Sequence, residues 1–319
     1  MNFLFDTDVP FEDKVLDVFS FQAKHCDLYK QYLDLLHINP SSVQSIHQIP
    51  FLPIEFFKSH QIISGQKNIQ TIFFSSGTTG QSVSKHHILD TSIYDESLTK
   101  GFHYFYGDIQ DYRVLALLPS YLEREGSSLV YMCKQLIEKS QDSDSGFYLH
   151  NYEKLATILS KQHSKKTMLI GVSYALLDLA EYFPQPLKNT IVVETGGMKG
   201  QRQEMVKSEL HSILKNAFHL NSIHSEYGMT ELLSQAYSKS NGIFQTPPWM
   251  KVIIRDPQDP FTMLNHHQAG GINIIDLANI NSCSFIATQD LGKTLDNTHF
   301  ELMGRFEIAD IRGCNLLVQ

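Results

Sequence analysis

The chain has 319 residues, 42% hydrophobic and 19% charged; this is the balance of a globular protein with one large or two modest domains, not of a disordered or fibrous one. Its 26 Lys and Arg against 34 Asp and Glu leave a net charge of −8 with His neutral, which disfavours a nucleic-acid binder that works by neutralising phosphates. Four cysteines, at 26, 133, 283 and 314, show no C-x-x-C spacing and read as reduced thiols, not as a disulfide framework or zinc site.

The amino-terminal stretch meets Asp6, Asp8, Glu12 and Asp13 before an apolar run of signal-peptide length develops. No segment approaches the ~18 apolar residues needed to cross a bilayer, so a cytoplasmic protein without a membrane span is expected. Residues 11–36 place Val15, Val18, Phe19, Ala23, Leu28, Tyr32 and Leu35 at helical spacing and predict one or two amphipathic helices. Residues 49–57 pack apolar bulk between Pro50 and Pro53 and predict a rigid, extended strip lining the core.

From residue 71 the pattern alternates. Strands are predicted at 71–74, 114–118, 147–149, 167–170 and 190–193, with helices at 127–138, 153–160 and 174–182. A further helix carries Val206, Leu210, Ile213, Leu214 and Ala217 as one apolar stripe. Strands alternating with helices imply βαβ units and a parallel or mixed sheet. After residue 249 short strand-like runs at 250–254, 271–275, 283–288 and 300–306 are separated by Gly, Pro, Asn and Asp, which predicts an appended antiparallel sheet or small barrel. The expected division is an α/β core over 1–245 and a β-rich subdomain with a tail over 246–319.

The sharpest local signal is Ser75-Ser76-Gly77-Thr78-Thr79-Gly80, directly after a predicted strand. Glycine-exposed N–H groups and four hydroxyls suit close approach to phosphate oxygens, although the Walker A spacing cannot be laid on this loop. It is followed in order by Tyr227-Gly228-Met229-Thr230-Glu231, Thr288-Gln289-Asp290-Leu291-Gly292 and Gly304-Arg305. These four segments resemble the successive motifs of the adenylate-forming superfamily, which includes acyl-CoA synthetases, adenylation domains and luciferases. Such enzymes couple a carboxylic acid to AMP and release pyrophosphate. Within that superfamily, residues 49–58, 119–124 and 194–200 and Arg312-Gly313-Cys314 resemble the LuxE-type acyl-protein synthetases over nearly the whole chain.

The resemblance implies an α/β fold: an adenylate-forming N-terminal domain with mixed sheets flanked by helices, a small antiparallel C-terminal subdomain, and no mobile C-terminal domain. It implies ATP and Mg²⁺, which offset the repulsion between a carboxylate and a phosphate. By the same resemblance, residues Ser75, Ser76, Gly77, Thr78, Thr79 and Gly80 wrap the β and γ phosphates. Thr230 touches the α-phosphate, Glu231 holds the metal, and Gly196, Gly197 and Tyr227 line the adenine slot. Asp290 accepts the ribose hydroxyls, Arg305 contacts ribose or phosphate, and Cys314 accepts the acyl group. The acid implied is a fatty acid, with an acyl-accepting reductase or carrier protein as partner. Its pocket is placed near Phe105, Tyr121 and Val172.

Two departures stand out. The superfamily loop usually has a lysine three residues after its last glycine; here the first is Lys85, five after Gly80, followed by His86 and His87. These histidines have no companion at metal-ligand spacing and read as structural. With no mobile C-terminal domain expected, the lysine that such a domain normally contributes is expected to be missing as well. Two alternatives therefore stand beside the acyl-protein synthetase: a ligase that delivers the acyl group to coenzyme A or a carrier protein, and a non-catalytic subunit that binds acyl-adenylate or nucleotide.

Overall fold

The computed structural model describes residues 2–66, 68–76, 82–118, 126–197, 202–203 and 205–306. Two helices open it, α1 (Phe11–His25) and α2 (Asp27–Leu35). Val15, Val18, Phe19 and Ala23 of the first and Tyr29 and Leu33 of the second are buried, as their spacing requires. The strip at 49–57 buries Ile49, Phe51, Leu52 and Phe57. It is extended only as far as β1 (Leu52–Pro53) and then turns into the single-turn α3 (Phe56–Ser59). A hairpin follows, β2 (Thr71–Phe74) and β3 (Lys85–Ile88), paired antiparallel from Thr71 opposite Ile88 to Phe74 opposite Lys85.

Helix α4 (Thr91–Tyr106) has no counterpart in the sequence reading. Its run of aromatic residues with Gly101 weakens the helical signal. The ends are nonetheless well specified: Asp90 caps the first turn by accepting from Ser92 N at 3.1 Å, and Gly107 closes the last at φ 86°. Ile93, Tyr94, Leu98, Phe102 and Phe105 form its buried face.

The βαβ region runs through β4 (Tyr112–Leu117), α5 (Ser128–Ser140), β5 (Gly146–Phe147), α6 (Tyr152–Ser160), β6 (Lys166–Val172), α7 (Ser173–Tyr182), β7 (Thr190–Thr195), α8 (Lys207–Phe218) and β8 (His224–Tyr227). Every residue of β4 is buried, the continuous pattern expected of a parallel strand covered on both faces. On α8 the stripe is narrower than predicted: Leu210 and Leu214 are buried, whereas Val206 and Ile213 face solvent. The remaining strands are β9 (Ala236–Ser238), β10 (Ile243–Gln245), β11 (Met250–Arg255), β12 (Gly270–Asp276), β13 (Phe285–Thr294) and β14 (His299–Arg305).

Twelve of these strands form one sheet, in the order β11-β12-β13-β14-β10-β9-β8-β7-β6-β4-β5, with β1 beside β13. From β5 to β8 the neighbours are parallel. From β8 to β11 they are antiparallel. The strands after residue 249 thus continue the α/β sheet through the β14–β10 ladder. The outer edge of β11 is partly occupied, because Leu264 N donates to Ile254 O at 2.8 Å and Arg255 bridges Met263. No helix among the described residues is long and apolar enough to cross a membrane.

The end of β12 is the anchor of this arrangement. Asp276, fully buried, accepts from Leu233 N (2.9 Å), Ser234 N (3.0 Å), Ser234 Oγ (2.6 Å) and Ala278 N (3.1 Å). It thereby ties the segment following Glu231 to the sheet. Asp276→Asn turns an NH₂ toward these donors and is expected to cost about 2–3 kcal/mol. The measurement is the urea midpoint at constant m-value; an unchanged midpoint would show that the carboxylate anchors nothing.

Candidate functional site

The Ser/Thr/Gly loop connects β2 to β3, and its neck is closed by two bonds: Ser75 N donates to Ser84 O at 3.1 Å, and Ser84 N to Ser75 Oγ at 2.8 Å. Gly77, Thr78, Thr79 and Gly80 lie outside the described residues, as does Tyr121. On the far side of the neck, Phe74 N donates to the carbonyl of Gly126 (φ 77°) at 2.8 Å. A side chain at 126 would collide with the Phe74 ring and the Ile72 carbonyl.

The hairpin packs directly on the Tyr227–Glu231 motif. His86 is buried, and desolvation pushes it down to about 4, so the ring is neutral. Its Nδ1–H therefore donates to the Thr230 carbonyl (2.8 Å), and Nε2 accepts from Ser282 Oγ (2.9 Å). His86 thus ties the hairpin to both the Tyr227–Glu231 motif and Ser282. Ser84 hydrogen-bonds the Glu231 carboxyl, and Asn279 Nδ2 donates to the Glu231 carbonyl at 2.7 Å. Burial raises the Glu231 carboxyl above its ordinary range, opposed by Ser84 and by the Arg305 and Lys58 cations.

A second connection joins the last two motifs. Asp290 and Arg305 are register partners of β13 and β14; Arg305 Nε donates to Asp290 Oδ1 at 2.9 Å and Tyr227 Oη to Oδ2 at 2.8 Å. Asp290 is 5% exposed, whereas the Arg305 side chain is 76% exposed. Thr288 sets up this turn: its hydroxyl donates to Ile272 O (2.8 Å) and accepts Asp290 N–H (3.1 Å). Tyr227 is buried, its ring edge-on to Phe244 and Phe300, so its visible role is to hold the Asp290 carboxylate. Gly196 takes φ 69° after β7, and space is open beside Gly197.

Two carboxylates at the ends of β7 and β8 were not singled out from sequence. Glu194 is 2% exposed and is held by Lys207 Nζ, by His211 Nε2 at 3.6 Å and by the Ser173 hydroxyl at 3.2 Å. Burial alone would raise it; His211, Lys207 and Ser225 outweigh that and hold it at about 2. Glu226 projects to the opposite face, because alternate residues of a strand do. It accepts from Thr195 Oγ1 at 2.5 Å, and its Oε1 fills the place a side chain at 228 would take, which explains the glycine of that motif. The only sequence signal was an acid inside a short strand.

Among the remaining candidates, Phe105 and Val172 are buried, Phe105 against the Tyr237 ring at 5.0 Å. Cys26, Cys133 and Cys283 are buried free thiols, and burial raises all three. Cys314 lies outside the described residues. Among the described residues, one grouping has metal-ligand spacing, Asp142, Asp144 and His163. It sits where β4 and β6 begin, away from the motifs, and Arg113 and Lys165 already pair with its carboxylates at 3.6 and 3.8 Å.

Residues 6–111 match the family model of the acyl-protein synthetases, LuxE. A long-chain-fatty-acid–luciferin-component ligase from Photorhabdus luminescens is 36% identical over 67 residues, 21% of this chain and 57% of that protein. Among solved structures, 2-hydroxyisobutyryl-CoA ligase bound to 2-HIB-AMP and CoA superposes with a TM-score of 0.69 at 11% identity, covering 92% of this chain and 69% of the ligase. ATP-bound MatB from Rhodopseudomonas palustris gives 0.58 at 14% identity, over 76% of this chain and 49% of MatB. This chain therefore spans about half the length of MatB. The fold is that of the N-terminal domain of adenylate-forming enzymes, and the LuxE resemblance read from the motifs holds over the matched residues.

The Glu194 cluster makes a prediction about acid stability. A carboxyl held at about 2 against an ordinary 4.5 contributes stability that is complete above its unfolded pKa and is lost as pH falls from about 4.5 toward 2. Urea denaturation stepped from pH 6 to 2.5 is expected to show that decline, and Glu194→Gln to flatten it. Equal slopes in both proteins would remove the assignment.

Proposed function

We propose that the chain activates a carboxylic acid with ATP as acyl-AMP and then passes the acyl group to a thiol, in the manner of an acyl-protein synthetase. The observation that carries this reading is the convergence of the four motifs. His86 and Ser84 join the loop hairpin to Thr230 and Glu231, and Tyr227 and Arg305 meet on Asp290. The residues fit ATP. Each Asp290 oxygen accepts one described bond and keeps one lone pair, which suits a ribose diol. The open space beside Gly197 suits a planar base. Ser75 and Ser76 stand at the start of the phosphate loop, which in this reading runs through Gly77, Thr78, Thr79 and Gly80.

The fit to Mg²⁺ rests on Glu231 alone among the described carboxylates, and one carboxylate with phosphate oxygens and waters is a usual Mg²⁺ set. When bound, the metal would neutralise charge on the transferring phosphate. In this reading Thr230, fixed through its carbonyl by His86, would touch the α-phosphate, and exposed Arg305 would supply positive charge beside the ribose. A fatty acid is the favoured substrate because the curated relative carries that activity in its name; a reductase or carrier protein is the favoured partner. Cys314 is the proposed acyl acceptor, because a thiol is intrinsically nucleophilic. The competing reading, transfer to coenzyme A, is favoured by the CoA-bound structural neighbour.

Acid-dependent exchange of labelled pyrophosphate into ATP tests the first step, and its absence with every straight-chain acid from C2 to C18 would overturn the reading. Asp290→Ala is expected to raise the Michaelis constant for ATP about tenfold or more, since a hydrogen bond to a charged group is worth ~1.5–3 kcal/mol, with a smaller effect on turnover. Glu231→Gln should slow exchange more than it weakens ATP binding. Cys314→Ser should keep exchange and lose hydroxylamine-sensitive labelling by fatty acid; acylated coenzyme A with an unlabelled parent chain would favour the competing reading.

A further inference from the structure

We propose that Glu226 is the general base of the thiol-transfer step, taking the S–H proton as sulfur attacks the acyl-adenylate. The inference rests on the acyl-activation reading above and adds a residue to it. Glu226 lies at the carboxyl end of parallel strand β8, one residue before Tyr227, and its partner Thr195 lies one residue before Gly196. It therefore stands between the two segments assigned to the nucleotide, at the strand ends where open α/β sheets bind their ligands. The residue as a whole keeps some solvent exposure.

The groups around Glu226 leave its carboxyl poised. From β7 the Thr195 hydroxyl donates to Oε2 and Glu194 repels it; from α8 only Lys207 attracts it. From α4 and β9 it faces Tyr94, Tyr106 and Tyr237, and from α5 Cys133, whose ionisation the carboxylate opposes. His224, on its own strand, is bonded to Tyr106 Oη at 3.2 Å, and burial pushes it down to about 4, so it brings no charge. Glu226 has no ion pair among the described residues. Burial first, opposed by Thr195 and reinforced by Glu194, pushes it up to about 7. Glu194, one strand away, is held at about 2. Two neighbouring carboxyls driven apart in this way are the usual mark of one structural and one proton-transferring group.

The step balances. The thiol proton moves to Glu226, the S–C bond forms, the C–O bond to AMP breaks, and AMP leaves with the electron pair. The proton then passes to solvent.

The test uses Glu226→Gln in the full chain with ATP, Mg²⁺ and labelled tetradecanoic acid, and follows three readouts. Pyrophosphate exchange and hydroxylamine capture of the acyl-adenylate, which need no base, should stay within about threefold of the parent. Thioester formation on the chain or on added coenzyme A should fall roughly 10²-fold at pH 7. That deficit should shrink toward parity above pH 9, where the thiol ionises unaided. A deficit equal at both pH values, a loss of exchange in parallel, or thioester formation at the parent rate would each overturn the proposal. A parent that supports no exchange with any acid removes the underlying reading and the proposal with it.

Discussion

The structure depends on one buried charge. Asp276 ends β12 fully buried, with four donors on its two oxygens, and desolvation raises it to about 6 despite those bonds. Two donors are backbone N–H groups of residues 233 and 234, which leave the Tyr227–Glu231 motif without regular structure to satisfy them. The carboxylate does the work of a strand partner there. Because it fixes the chain just after Glu231, the contacts from His86, Ser84 and Asn279 meet a backbone already in place. The motif needs such a clamp because it crosses from the parallel to the antiparallel half of the sheet.

The same crossing sorts the charges. The pleat of β7 and β8 sends Glu194 and Ser225 toward α8 and sends Thr195 and Glu226 toward α4 and α5. One face supplies Lys207 and His211; the other supplies tyrosines and a thiol. Two glutamates a strand apart acquire opposite electrostatic character from which side they face.

Much of this was legible in the sequence, for identifiable reasons. The βαβ elements from 112 to 218 announce themselves because apolar runs alternate with amphipathic ones, and the four motifs carry residue types that few other settings assemble. The order Asp290 then Arg305 was readable; that they are register partners was not, since pairing depends on the bulge between Leu291 and Gly292. Helix α4 was missed because Tyr94, Phe102 and Phe105 face a tertiary core that overrides weak helical propensity. Glu226 was missed because a single acid in a four-residue strand is invisible until its neighbours are known. Asp276 and Ser234 lie 42 residues apart, a distance at which no local pattern speaks.

The partly occupied edge of β11 bears on how copies of this chain meet. An open twelve-stranded sheet ends in two rows of backbone donors and acceptors, each a template for a foreign strand. At one end β5 is two residues long, too short to template anything. At the other, the bond from Leu264 N to Ile254 O and the bridge from Arg255 to Met263 use part of the row, while Lys251 adds charge to it. Both ends of the described sheet thus offer a foreign strand less backbone to pair with than a long bare edge would.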